Sequence, residues 1–162
     1  EPPPDTLFIL VTDQVETLLP TVRSRCKAIY FPRVAESDLV DLLSKQHGLK
    51  PSDATPLAAA ALGIPGDAVM MATDPAAAES RLALADTAAA LPGQSLFARF
   101  LEAKRLTDSK ADLHRLARLL HTRLLADVPA TTRSLQAVEL FRRQLAAKVA
   151  PRVALERLML EL

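Results

Sequence analysis

The pattern of apolar and polar positions changes character once along this chain, near Phe31-Pro32. Before it, Leu7-Phe8-Ile9-Leu10-Val11 are apolar without alternation, the pattern of a strand covered on both faces in a parallel sheet. One further strand candidate follows, Lys27-Ala28-Ile29-Tyr30-Phe31. Two strands make at best a marginal sheet with an unburied face. The chain also opens at Glu1, without an initiator Met, inside the Pro-rich run Glu1-Pro2-Pro3-Pro4-Asp5. The expectation is a C-terminal part of a longer protein whose sheet lies mostly outside these residues.

Between the two strand candidates, Asp13-Gln14-Val15-Glu16 has capping-box spacing and should open a short helical turn through Leu19, where Pro20 interrupts it or starts the next. Residues 21–25 form one more turn. Beyond Pro32 the apolar positions take helical spacing. Residues 36–46 carry Leu39, Leu42 and Leu43 on one face and stop at Gly48. Ser52 is expected to cap a helix over 53–62 that Gly63 stops, and Pro65 or Gly66 to open a third through about Ala72, with Val69 and Met70 as its apolar face. Three helices of this size make a small satellite domain.

A longer helix follows Asp74-Pro75, over 76–91, and Pro92-Gly93 ends it; the next covers 95–106. Ser109-Lys110-Ala111-Asp112 is a box-like start to a helix with a clean stripe at Leu113, Leu116, Leu119, Leu120 and Leu124. Asp127-Val128-Pro129 breaks it. Thr131 or Thr132 then caps a helix to Val149 with Leu135, Val138, Leu140, Phe141 and Leu145 inward, and Pro151 opens a last one to Leu162. No internal repeat of 20–50 residues is evident.

Composition sharpens this picture toward helix. Ala and Leu are abundant, Gly is only 4, Trp is absent and aromatics are 4% of 162 residues, which favours Leu/Ala-packed helices over a β-sandwich. The length allows one or two domains. The single cysteine excludes an internal disulfide and a Cys-rich zinc site, and fits a reducing cytoplasm. No apolar run reaches 18 residues, so no membrane span is expected. The net charge of +1 is unevenly spread: 7 Lys/Arg against 12 Asp/Glu through Pro92, and 13 against 7 from Gly93 onward. The basic charges alternate with acids along helices and few aromatics accompany them, so a solvated face is the reading rather than a nucleic-acid surface.

The candidate chemistry lies in Leu18-Leu19-Pro20-Thr21-Val22-Arg23-Ser24-Arg25-Cys26. Arg25 keeps its charge near pH 7, and its planar fork suits a phosphate whose charge is spread over several oxygens. The alternative is a local ion pair with Asp13 or Glu16. Thr12 ends the first apolar run, where a threonine can cap the turn with Asp13. His114 and His121 stand seven apart on one helix, too far for a shared metal ion. These residues hold no phosphate-cradling loop with Lys, no acidic pair for Mg²⁺ and no zinc cluster.

Glu-Pro-Pro, an apolar strand ending in Thr, then Leu-Leu-Pro-Thr-Val-Arg-Ser-Arg-Cys leading to a short strand resembles the clamp-loader branch of the AAA+ ATPases. Ser24-Arg25-Cys26 is that branch's name motif, and the resemblance directly covers about a fifth of the chain. It implies a mainly α chain: the C-terminal edge of an AAA+ α/β domain over 1–33, a three-helix lid over 34–73 and a helical collar over 74–162. It makes Arg25 an arginine finger acting in trans on a neighbouring subunit's ATP, a device worth roughly 10³–10⁵ in rate in GTPases. Ser24 would orient the turn by bonding to backbone, Cys26 would be a small buried hydrophobe, and Thr12 would hold the sensor 1 position. Gly66 stands where ATP-hydrolysing subunits carry the sensor 2 arginine, and Gly63-Ile64-Pro65-Gly66 resembles the delta-prime type, which does not turn over ATP. Residues 150–162 look like the final helix of that type.

The resemblance thus implies a bacterial DNA polymerase III clamp-loader subunit, delta-prime-like. It would bind no cofactor itself, serve ATP-Mg in the next subunit, and stand with gamma/tau and delta subunits in a hetero-pentameric ring. That ring loads the sliding clamp on primed DNA in the cytoplasm. The chain by itself would not be an enzyme. The rivals are an ATP-hydrolysing gamma/tau-type subunit or a helical DNA-binding or scaffold protein.

Overall fold

The computed structural model describes residues 3, 5–12, 15–126 and 132–162. The chain divides into two compact units, Glu1–Pro32 and Arg33–Leu162. In the first, a 3-10 turn at Val15–Thr17 precedes one short helix, α1 (Pro20–Arg23), in which Pro20 takes the first helical position. Its fixed φ and missing N–H cost nothing there. No strand occurs among the described residues. Residues 7–11 and 29–31 are instead irregular and exposed, Val11 to 93% and Phe31 to 91%. A strand exists only through a partner ladder, and neither run has one among the described residues. Cys26, expected buried, is likewise exposed.

The described residues of the second unit are helix and loop. Its helices are α2 (Glu36–His47), α3 (Pro51–Ala61), α4 (Pro65–Thr73), α5 (Pro75–Ala90), α6 (Leu96–Asp108), α7 (Leu113–Ala126), α8 (Thr132–Ala146) and α9 (Pro151–Glu161), with a 3-10 turn at Leu91–Gly93. Proline occupies the first position of α3, α4, α5 and α9, and Gly48 ends α2 in the left-handed conformation at φ 67. Asp74 accepts from the amides of Ala76 and Ala77 at 3.0 and 3.2 Å, and Ser95 from that of Ala98 at 3.4 Å. These bonds satisfy first-turn donors that the helix itself leaves open.

Two expected caps move. Ser52 lies inside α3 because Pro51 already starts it. At α7 the capping oxygen belongs to Asp112, which accepts from the Arg115 amide at 2.9 Å, rather than to Ser109. The break at Asp127-Val128-Pro129 and Thr131 lie outside the described residues.

Two apolar clusters hold the unit together. One joins α2, α3 and α4 through Leu39, Leu43, Ala54, Ala58, Ala60, Ala61, Ala68 and Met71. The other joins α5 to α9 through Leu84, Ala88, Leu91, Leu106, the expected leucines of α7, Val138, Phe141, Leu155, Leu158 and Met159. Helix α5 serves both: Ala78 and Leu82 pack on the first cluster, Leu84 and Ala88 lie in the second, and Ala85 touches each.

The inward face of α4 is Ala68 and Met71 rather than Val69 and Met70, and Leu140 points outward at 37% exposure. Alanines carry little weight in a periodicity count, yet they permit the close helix approach that sets the face. Arg99 ties α6 to two neighbours, donating to the carbonyls of Leu91 (3.0 Å), Pro92 (2.7 Å) and Met159 (3.3 Å).

Candidate functional site

The turn carrying Ser24-Arg25-Cys26 is closed by its own backbone. The amides of Ser24, Arg25 and Cys26 donate to the carbonyls of Pro20 (3.0 Å), Val22 (3.1 Å) and Arg23 (3.2 Å). The change from a four-residue to a three-residue step tightens the end of α1. Ser24 Oγ donates to the Thr21 carbonyl at 3.2 Å, adding a side-chain clasp to the same turn.

The charges around this turn are already apportioned. Arg23 Nη1 pairs with Glu16 Oε2 at 2.9 Å, so one of the two carboxylates considered for Arg25 is engaged by its neighbour. The other, Asp13, lies outside the described residues. Arg25 is exposed, and its guanidinium has no side-chain partner among the described residues. Its guanidinium is a permanently charged, forked donor. Thr12 lies exposed in the irregular stretch before Val15–Thr17.

Gly66, the second residue of α4, is exposed, and a Cβ there would meet nothing within 4 Å. Packing therefore does not demand glycine at this position. The demand falls on Gly63, where φ is +77 and a Cβ would stand 2.7 Å from Arg33 Cβ and 2.9 Å from the Val34 carbonyl. Among the described residues no group of His, Cys, Asp and Glu could hold a metal ion. No helix among them is long and apolar enough to cross a membrane.

Periodicity did not reveal two charged assemblies in the helical unit. Asp67 of α4 bonds Arg115 Nη1 of α7 at 2.5 Å and Arg81 Nη2 of α5 at 3.2 Å, and Arg115 also donates to the Ala60 carbonyl at the end of α3. Arg115 is only 2% exposed. A buried arginine this close to a leucine stripe was the available signal, because a cation there must find a buried partner. The second assembly gathers Arg33, Arg118, His121 and Arg142 around one groove.

Residues 1–35 match the model of a family described as DNA polymerase III, delta subunit. The matched segment includes Thr12, Ser24 and Arg25 and stops before α2. No curated protein and no solved structure matches the chain. The likeness to that family is confined to this N-terminal segment, and residues 36–162 lie outside it.

Proposed function

We propose that this chain is a delta-prime-like clamp-loader subunit of the DNA polymerase III holoenzyme that presents Arg25 to ATP-Mg held by a neighbouring subunit. The observation that carries the reading is the exposed Arg25, without a side-chain partner among the described residues, at the end of a turn whose own hydrogen bonds are closed and within the segment that matches the family. Arg25 supplies forked donors to a phosphate in trans, Ser24 holds the turn, and Thr12 stands at the sensor 1 position. In this reading α2 to α4 form the lid, α5 to α9 the collar, and Gly66 replaces the arginine that an ATP-hydrolysing subunit needs. The chain is no enzyme alone. It works in the cytoplasm beside gamma/tau and delta subunits in a five-membered ring, which acts on the sliding clamp and primed DNA.

Arg25→Ala is expected to leave the stability of the chain within about 0.5 kcal/mol, as for other exposed positions away from special features. It should silence the one ATP site that Arg25 faces in the reconstituted ring, lowering DNA-stimulated hydrolysis. Arg25→Lys should rescue poorly, because an ammonium lacks the bidentate fork. Wild-type turnover by the Arg25→Ala ring would refute the finger.

Ring contacts through α9 give a second test. Leu155, Leu158 and Met159 are buried, so removing the helix would strip the core; Val153 and Leu160 are 58% and 57% exposed and separate assembly from folding. Val153→Ser with Leu160→Ser is expected to weaken ring assembly at least about tenfold, since an apolar side chain buried in an interface is worth roughly 1.5–3 kcal/mol. The melting temperature should hold. Light scattering on the reconstituted subunits reads the result, and undiminished assembly would place the collar contact elsewhere.

A further inference from the structure

Within the helical unit, Arg33 ahead of α2, Arg118 and His121 on α7, and Arg142 on α8 line one groove of about 410 Å³. No carboxylate is among its lining residues. The convergence is built by the fold. The Val34 amide donates to the Gly63 carbonyl at 3.0 Å and Arg33 donates to the Leu62 carbonyl, which pins residue 33 to the end of α3. On α7, Arg118, His121 and Thr122 follow at helical spacings of three and four and so share a face. Packing of α7 on α8 adds Arg142.

Three guanidiniums around one concavity repel each other, and little offsets them. Among the described residues their one ion pair, Arg142 to Glu139 at 3.2 Å, is exposed, within one helix, and shared with Arg143, an arrangement worth little. Arg118 Nε is buried and has no acceptor among the described residues. Positive charge converging on one concavity draws an anion.

We propose that this groove binds a phosphate group. A single carboxylate offers two oxygens and one charge, too few for three guanidiniums; a phosphate offers more acceptors and charge and matches their planar forks. The phosphate can belong to a small phosphate compound or to the backbone of a nucleic-acid strand, which present the same oxyanion. Neither source depends on Arg25 reaching a nucleotide, so the groove and the finger stand or fall separately.

The test uses the chain alone. Pyrophosphate is titrated by calorimetry, and a labelled single-stranded oligonucleotide by fluorescence anisotropy, with a glutamate-rich peptide as the carboxylate control. Wild type is expected to saturate with at least one phosphate probe at a Kd of about 1 mM or tighter. Arg142→Gln and Arg118→Gln should each weaken binding roughly tenfold. Arg142 is exposed, so its variant reports on binding with folding intact, checked by an unchanged melting temperature. A backbone source would show as tighter oligonucleotide binding whose salt dependence falls by about one ion for each arginine removed. A small-compound source would show as pyrophosphate binding alone. Failure of both phosphate probes to saturate, equal binding of the glutamate peptide, or undiminished binding by Arg142→Gln would overturn the proposal.

Discussion

Replacing Asp67 with alanine is expected to destabilise the helical unit by about 3–5 kcal/mol, the range for breaking a buried ion pair by removing one partner. Asp67 is the single carboxylate between two guanidiniums, with its side chain 16% exposed and that of Arg115 only 3%. Without it, Arg115 stays buried with the Ala60 carbonyl as its remaining acceptor, and Arg81 loses its partner as well. Arg115→Met should cost less, about 1–2 kcal/mol. Asp67 then keeps Arg81, and the apolar stem of Met refills the space, so the chief loss is the bond to Ala60. Urea unfolding of the two variants measures the asymmetry. Equal losses, or a loss below about 1 kcal/mol for Asp67→Ala, would mean that the triad does not hold α4, α5 and α7 together.

Gly63→Ala is expected to cost about 2–5 kcal/mol, from two terms that add. The left-handed conformation at φ +77 costs an L-residue roughly 1–2 kcal/mol. The new methyl would also press on Arg33 Cβ and the Val34 carbonyl, and overpacking of this kind costs roughly 1–3 kcal/mol. Two other glycines separate the terms. Gly48 has φ +67 but open space around its Cβ position, so Gly48→Ala should show the conformational cost alone. Gly66 has open space in a helical first turn, and Gly66→Ala should be neutral or stabilising by up to about 1 kcal/mol. Thermal melts of the three variants should rank Gly63 worst and Gly66 best; any other order would show that close approach of residues 33–34 is not what fixes Gly63.

Glycine and proline made the helix boundaries legible. Gly48, Pro65, Asp74-Pro75 and Pro151 act locally, through φ and a missing N–H, so their message survives without knowledge of the fold. The α7 stripe was equally plain, because five leucines on one face leave no other way to bury them. What could not be read was decided by partners far away in sequence. Met71 turns inward into the α2–α4 cluster, and Arg115 is buried because Asp67, 48 residues earlier, receives it. Gly63 read as a helix stop, while its contact with Arg33 and Val34 depends on a segment thirty residues away.

At the candidate site the local part was again the legible part. Pro20, Ser24 and Arg25 form a turn from near neighbours alone. Residues 7–11 and 27–31 looked like strands because side-chain pattern records the environment a segment suits, whereas a ladder needs another segment to bond to. The pattern was readable and the partner was not.

Helix α5 has one side committed to the α2–α4 cluster and another to the α5–α9 cluster, with Ala85 in contact with both. It cannot roll about its own axis without opening two cores at once. Any displacement of α5 is therefore felt in both clusters together, so a substitution on one side of the helix is paid for on the other.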